Sequence, residues 1–174
     1  MELWEVYDKD RQKKGRTMVR GGDIAADDYH LVVHICLFNS KGQMLIQQRQ
    51  PFKHGWSNLW DVTVGGSALA SETSAHAAER ELFEEIGFRW DFTAERPFIT
   101  VNFSFGFDDF YLIQAEVDLN SLVLQAEEVQ SIKWASRDEI LQMIDSGTFI
   151  PYHKSLIATL FDMRNHRGAI VMEE

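Results

Sequence analysis

One cysteine, three prolines and a shortage of positive charge set the first limits on this 174-residue chain. With Cys36 alone, neither an intrachain disulfide nor a cysteine-based zinc cluster can form. The longest apolar stretch, Leu31 to Phe38, contains His34 and falls far short of the roughly 18 residues a membrane span needs. The opening Met1-Glu2-Leu3-Trp4-Glu5 lacks the basic-then-apolar pattern of a signal peptide. Lys and Arg number 17 against 27 Asp and Glu, giving a net charge of −10. Such a chain repels phosphate backbones, which argues against a nucleic-acid partner. A small phosphorylated ligand is still allowed, because bound metal ions invert the local sign. Linkers, low-complexity stretches and internal repeats are also missing, and the length fits one domain over 1–174. The expectation is a soluble, cytoplasmic protein in a reducing compartment, touching no membrane.

What is present is an aromatic-rich sequence, with twelve Phe and five Trp, able to build a core. His30 to Phe38 is apolar and β-branched and reads as a buried strand. Asn39 to Gly42 reads as a turn, and Gln43 to Gln50 as the second strand of a hairpin. The charged run Lys9 to Arg16 reads as a solvated turn between two strands. Pro51 to Leu59 reads as a loop, and Asp61 to Val64 as a short strand ending at Gly65-Gly66. Thr73 to Ile86 has helical spacing, with Gly87 placed to end it. Phe98 to Phe107, Phe110 to Val117 and Val129 to Trp134 read as strands. On that reading Phe103, Phe105 and Phe107 share one strand face. Ser136 and Glu139 form a capping-box signature for a helix reaching about Asp145. Pro151 suits the first turn of a last helix ending near Asn165. Strands interleaved with helices point to the α/β (α+β) class, a mixed β-sheet sandwiched between α-helices.

The chemistry concentrates between Gly66 and Phe88. On a helix turning about 100° per residue, Glu85 lies about 40° to one side of Glu81 and Glu84 about 60° to the other. Ala75, Ala78, Leu82 and Ile86 form the adjoining apolar face, and His76 points away from the acids. Like charges four residues apart destabilise a helix, and acids in its last turn oppose the dipole. A divalent cation reverses both effects, and hard oxygen ligands on one face suit Mg²⁺ or Mn²⁺.

The spacing is more specific than the charges. Gly66, then Glu72 after five residues, then Arg80-Glu81-Leu82-Phe83-Glu84-Glu85-Ile86-Gly87-Phe88 after seven more. This resembles the Nudix box at every specified position, a match that chance gives in roughly one such chain in ten million. The resemblance implies the fold named above and attack of water on a diphosphate linkage, with a metal ion lowering the pKa of that water. It implies Glu84 and Glu85 as principal metal ligands, Glu81 as ligand or base, and the Gly66 carbonyl within reach of the metal. It implies Arg80 and Glu72 as an ion pair tying the loop to the helix. Many relatives add a carboxylate from a neighbouring loop. Asp108, Asp109, Glu127 and Glu128 are the candidates here, with Glu128 favoured. Asp108 and Asp109 are placed at the start of a strand, and each of the four acids taken singly reads first as a solvated turn residue.

The N-terminal half resembles the isopentenyl-diphosphate-isomerase-like branch, through Trp4 to Asp8, Arg20-Gly21, His30 to Val33 and Gln47-Gln48-Arg49. Isomerisation is therefore a rival activity. It needs a catalytic Cys just before the box, and that position holds Gly65, while Cys36 reads as core. A third reading is a nucleotide sensor without turnover. Trp56 is the candidate for stacking on a base, beside Phe52, His54 and Trp60. Arg49 and Lys53 are candidates for holding phosphate. The expected partner is a phosphorylated, nucleotide-like small molecule, and a homodimer is possible.

Overall fold

The computed structural model describes residues 2–166 and 168–171. Met1 and residues 172–174, the ends of the expected domain, lie outside the described residues. Two compact units are distinguished, one of residues 1–35, 65–84 and 88–111, the other of 36–64, 85–87 and 112–174. Among the described residues there are nine strands, three α-helices and one short 3-10 helix.

In the first unit, β1 (Leu3–Tyr7) and β2 (Lys13–Val19) form an antiparallel ribbon, with Leu3 opposite Val19. The turn joining them is shorter than the charged run suggests. Asp8 accepts bonds from the Asp10 and Gln12 N–H groups, and Arg11 takes a φ of 61°. Lys13 to Arg16 are already strand. Their alternation lets Lys14 and Arg16 both reach Asp28, at 2.8 and 2.5 Å.

Strand β3 (His30–Phe38) runs through both units and is buried over most of its length. Its neighbour β8 (Gly106–Gln114) does the same. The His30 N–H donates to Phe105 and the Ala115 N–H to Phe38, so the two strands advance together and are parallel. In the first unit, β7 (Ile99–Phe103) pairs antiparallel with β8; β6 (Val64–Ser67), whose Val64 falls in the second unit, pairs with β3. In the second, β4 (Met44–Arg49) pairs with the end of β3, with β5 (Trp60–Asp61) and with β9 (Val129–Ala135). The sheet is mixed, as expected. Helix α1 (Ser74–Ile86) follows β6, while α2 (Arg137–Asp145) and α3 (Lys154–Asp162) belong to the second unit. No helix among the described residues is long and apolar enough to cross a membrane.

Three boundaries depart from the sequence reading. The β7–β8 turn falls at Ser104-Phe105, not at Asp108-Asp109, so both acids sit inside β8 opposite Val101 and Thr100. Gly106 sets that turn, since a Cβ there would lie 2.3 Å from the His30 carbonyl oxygen. Consequently Phe103, Phe105 and Phe107 do not share a strand. Phe103 meets the His30 ring edge-on, Phe105 is exposed in the turn, and Phe107 packs with Tyr7 and Tyr29. Pro151 lies before α3 rather than in its first turn, and the helix stops at Asp162. The capping box of α2 forms as read: Ser136 accepts from the Glu139 N–H, and Glu139 accepts from the Ser136 N–H.

Candidate active site

Helix α1 forms where its spacing places it. The Thr73 hydroxyl accepts the His76 N–H, which meets one open donor of the first turn. Ala77, Ala78, Leu82 and Ile86 are fully buried, and His76 is exposed. Ala75 is only half-buried, and Ala77, about 40° to the other side of Glu81, is buried in addition, so the buried face is wider than expected and reaches the acid side. Gly87 ends the helix with a φ of 70°. The last carbonyls, of Glu85 and Ile86, accept the N–H groups of Gln125 and Val123.

In the first unit, Glu72 and Arg80 form a fork-on-fork pair. Arg80 Nε lies 2.7 Å from Glu72 Oε1, and Nη2 lies 2.9 Å from Oε2. Such bidentate pairs fix geometry as well as charge. The same guanidinium donates to Glu81 at 2.8 Å, to Glu84 at 3.0 Å and to the Ser67 carbonyl at 3.1 Å. One arginine therefore connects the loop after β6 to two of the three acids. The Glu81 carboxylate also rests on Gly66, where a Cβ would lie 2.2 Å from Glu81 Cδ. Glycine at that position is a steric requirement of the Glu81 rotamer.

The electrostatics separate these acids. Burial raises the Glu81 pKa above the ordinary glutamate value, and Arg80 offsets only part of that rise. Burial pushes Glu72 the same way, but the bonds from Arg80 and from the Leu69 N–H outweigh it, so its pKa falls. Glu84 is nearly half exposed at the helix end.

In the second unit, the buried Glu85 carboxylate accepts the side-chain N–H of Gln47 at 2.7 Å. Arg49 approaches Asp61 at 3.9 Å, and Asp61 also accepts the Tyr152 hydroxyl at 2.8 Å. Trp56 is exposed, with a φ of 52° that bulky residues rarely adopt. Lys53 and Glu128 are paired at 2.5 Å, so the favoured downstream acid carries its own counter-ion. Glu127 is exposed.

The other two downstream acids are not solvated turn residues. Asp108 sits 3.2 Å from His34 Nε2, and the His34 ring stacks on Phe110 at 4.5 Å. Asp109 is fully buried and accepts from Arg11, Thr100 and Ser74. Gln47, His34 and Arg11 were not singled out as site or anchoring residues in the sequence. Gln47 carried a usable signal, as a polar residue following Met44-Leu45-Ile46 on a strand.

In the first unit the oxygen donors Glu81 and Glu84, with the Gly66 backbone against Glu81, are of the kind that suits a hard divalent cation. Among the described residues no three His, Cys, Asp or Glu side chains are already gathered as a metal cage. Arg80 holds Glu81 and Glu84, and Gln47 holds Glu85. Cys36 is fully buried, and burial pushes its thiol pKa far up, so it is inert.

A family model described as NUDIX domain matches residues 28–158. An uncharacterised Nudix hydrolase of Listeria monocytogenes is 43% identical over 165 residues, 95% of this chain and 96% of that one. An isopentenyl-diphosphate Delta-isomerase of Pectobacterium atrosepticum is 31% identical over 122 residues, 66% of each chain. Among solved structures, DR0079 of Deinococcus radiodurans superposes with a TM-score of 0.76 at 22% identity, covering 91% of this chain and 99% of that one. A bifunctional NMN adenylyltransferase/ADP ribose pyrophosphatase of Francisella tularensis, complexed with AMP and a manganese ion, gives 0.60 at 22% identity, covering 79% and 42%. A domain match running through the box and a near-full-length relative at 43% identity place this chain in the Nudix hydrolase family.

Proposed function

We propose that this protein hydrolyses a diphosphate linkage in a nucleoside diphosphate derivative or a similar phosphorylated small molecule, with Mg²⁺, or Mn²⁺ in its place, as cofactor. The observation that carries the reading is the Arg80 network, which joins Glu72, Glu81 and Glu84 while Glu81 rests on Gly66. A helix selected for stability alone does not gather acids in this way.

When bound, the cation activates a water and offsets phosphate charge. The chain's own groups do the rest. Glu84, Glu85 and the Gly66 carbonyl are the proposed ligands. Glu81, whose pKa burial raises above the ordinary glutamate value, is the proposed acceptor of a proton from water. Arg80 and Glu72 hold Glu81 in place. Arg49 and Trp56, on and after β4, are the proposed contacts for phosphate and base, and Glu128 the proposed additional acid. The Francisella neighbour, an ADP ribose pyrophosphatase with AMP and manganese bound, supports trying ADP-ribose first.

The isomerase relative keeps a second reading in view. It calls for a reactive thiol beside the box, whereas Gly65 stands there and Cys36 is buried.

A turnover screen with and without Mg²⁺ or Mn²⁺ tests the reading. It covers ADP-ribose, sugar nucleotides, nucleoside di- and triphosphates, dinucleotide cofactors and isopentenyl diphosphate. Metal-dependent hydrolysis of one class is expected, with Glu84→Gln and Glu85→Gln folded but slower by at least about 100-fold. Wild-type turnover in both variants overturns the metal assignment. Conversion of isopentenyl diphosphate without hydrolysis establishes the rival.

A further inference from the structure

Gln47 sits on β4 after Met44, Leu45 and Ile46 and is only 2% exposed. A buried primary amide is unfavourable unless both of its ends are satisfied. One end is: Nε2 donates to Glu85 Oε2 at 2.7 Å, within the same compact unit. That contact also fixes the orientation of the amide, because turning it over sets two oxygen acceptors against each other. Oε1 therefore faces away from the carboxylate oxygen. Among the described residues it is buried and has no hydrogen-bond partner. An apolar residue suits a strand interior better, so a half-satisfied amide here calls for a partner.

A hydrated divalent cation supplies one. Mg²⁺ binds through one or two carboxylates and keeps several waters, each a strong donor that needs an acceptor. Oε1 of Gln47 is an acceptor beside a proposed carboxylate ligand. We propose that Gln47 is a positioning residue for the cation, its N–H holding Glu85 in one orientation and its carbonyl oxygen accepting from a water of the cation's shell. Outer groups of this kind typically change metal affinity by about 10- to 100-fold. The inference rests on reading Glu85 as a metal ligand, and the experiment separates the two.

The measurement is Mn²⁺ binding to the full chain, followed by the electron paramagnetic resonance signal of free Mn²⁺, with metal-free melting temperature as the control for folding. Four proteins are compared: wild type, Gln47→Leu, Glu85→Gln and, as a strand control, Gln48→Ala. Gln48 donates to the exposed Asn58. Gln47→Leu is expected to fold and to bind Mn²⁺ about 10- to 100-fold more weakly. Glu85→Gln is expected to lose more, and Gln48→Ala to match wild type. Wild-type affinity in Gln47→Leu, with affinity lost in Glu85→Gln, overturns the proposal and reduces the pair to a tie between strand and helix. Wild-type affinity in Glu85→Gln overturns the reading of Glu85 itself. Should Gln47→Leu not fold, Gln47→Met, unbranched and of similar length, makes the same comparison with the same deciding outcomes.

Discussion

Asp109 shows how one residue can be misread from sequence and still be decisive. In the sequence it is half of an Asp-Asp pair, which suggests a turn. In the protein it has no exposed surface and accepts from Arg11, Thr100 and Ser74, while the Tyr111 hydroxyl donates on to Ser74. Arg11 is 98 positions away, so no local pattern could announce the pair. Local acids are legible when their partner is close in sequence, as Glu72 and Arg80 are. Removing Arg11 leaves a buried carboxylate with hydroxyl donors alone. Arg11→Ala should therefore cost about 3–5 kcal/mol in urea denaturation. Adding Asp109→Asn, which removes the stranded charge, should recover part of that loss. A loss below about 1 kcal/mol means that the hydroxyl donors suffice without Arg11.

At the scale of elements, α1 and its loop were the most readable part of the chain. Their constraints are local: a 3.6-residue period, a terminal glycine and a fixed spacing from Gly66 to Glu81. The β7–β8 hairpin was less readable because its turn is set by contact rather than by turn residues. The backbone of β3 leaves no room for a side chain at Gly106. The two glycines should respond differently to alanine. At Gly66 the new methyl meets the end of a flexible Glu81 side chain, which can turn aside. Gly66→Ala should then change stability by less than about 1 kcal/mol. It should still lower turnover by at least about 10-fold, because the proposed base is displaced. At Gly106 the methyl meets a backbone oxygen on a buried strand, so Gly106→Ala should cost about 1–3 kcal/mol. Thermal melts of both variants, set beside turnover, check the contrast. Equal destabilisation at the two positions means that Glu81 is held more rigidly than its contacts suggest.

Across the whole molecule, the interleaving of strands and helices announced both the fold class and the mixed sheet. The parallel run of β3 beside β8 was not visible, since strand pairing between residues as far apart as His30 and Phe105 leaves no local mark. Charge is where the whole chain and the site meet. The net charge of −10 already opposes compaction, and the site adds a buried acid to it. Two of the acids beside Arg80, Glu72 and Glu81, pull stability in opposite directions with pH. Glu72 has a lowered pKa when folded, so its contribution is present above about pH 4.5 and disappears as pH falls through the folded value. Glu81 has a raised pKa, so the folded state holds its proton longer than the unfolded chain does. Stability then falls as pH rises from about 4.5 through the folded value of Glu81, and stays lowered above it. Metal-free Glu81→Gln should accordingly melt higher than wild type at about pH 7, with the gain vanishing near about pH 4. Glu72→Gln should melt lower at about pH 7, with its deficit shrinking on acidification. Differential scanning calorimetry at the two pH values reads both signs. A Glu81→Gln variant that melts below wild type at neutral pH shows instead that its bond with Arg80 outweighs the burial of its charge. Glu81 would then be a stabilising residue rather than one that the fold keeps at a cost for its chemistry.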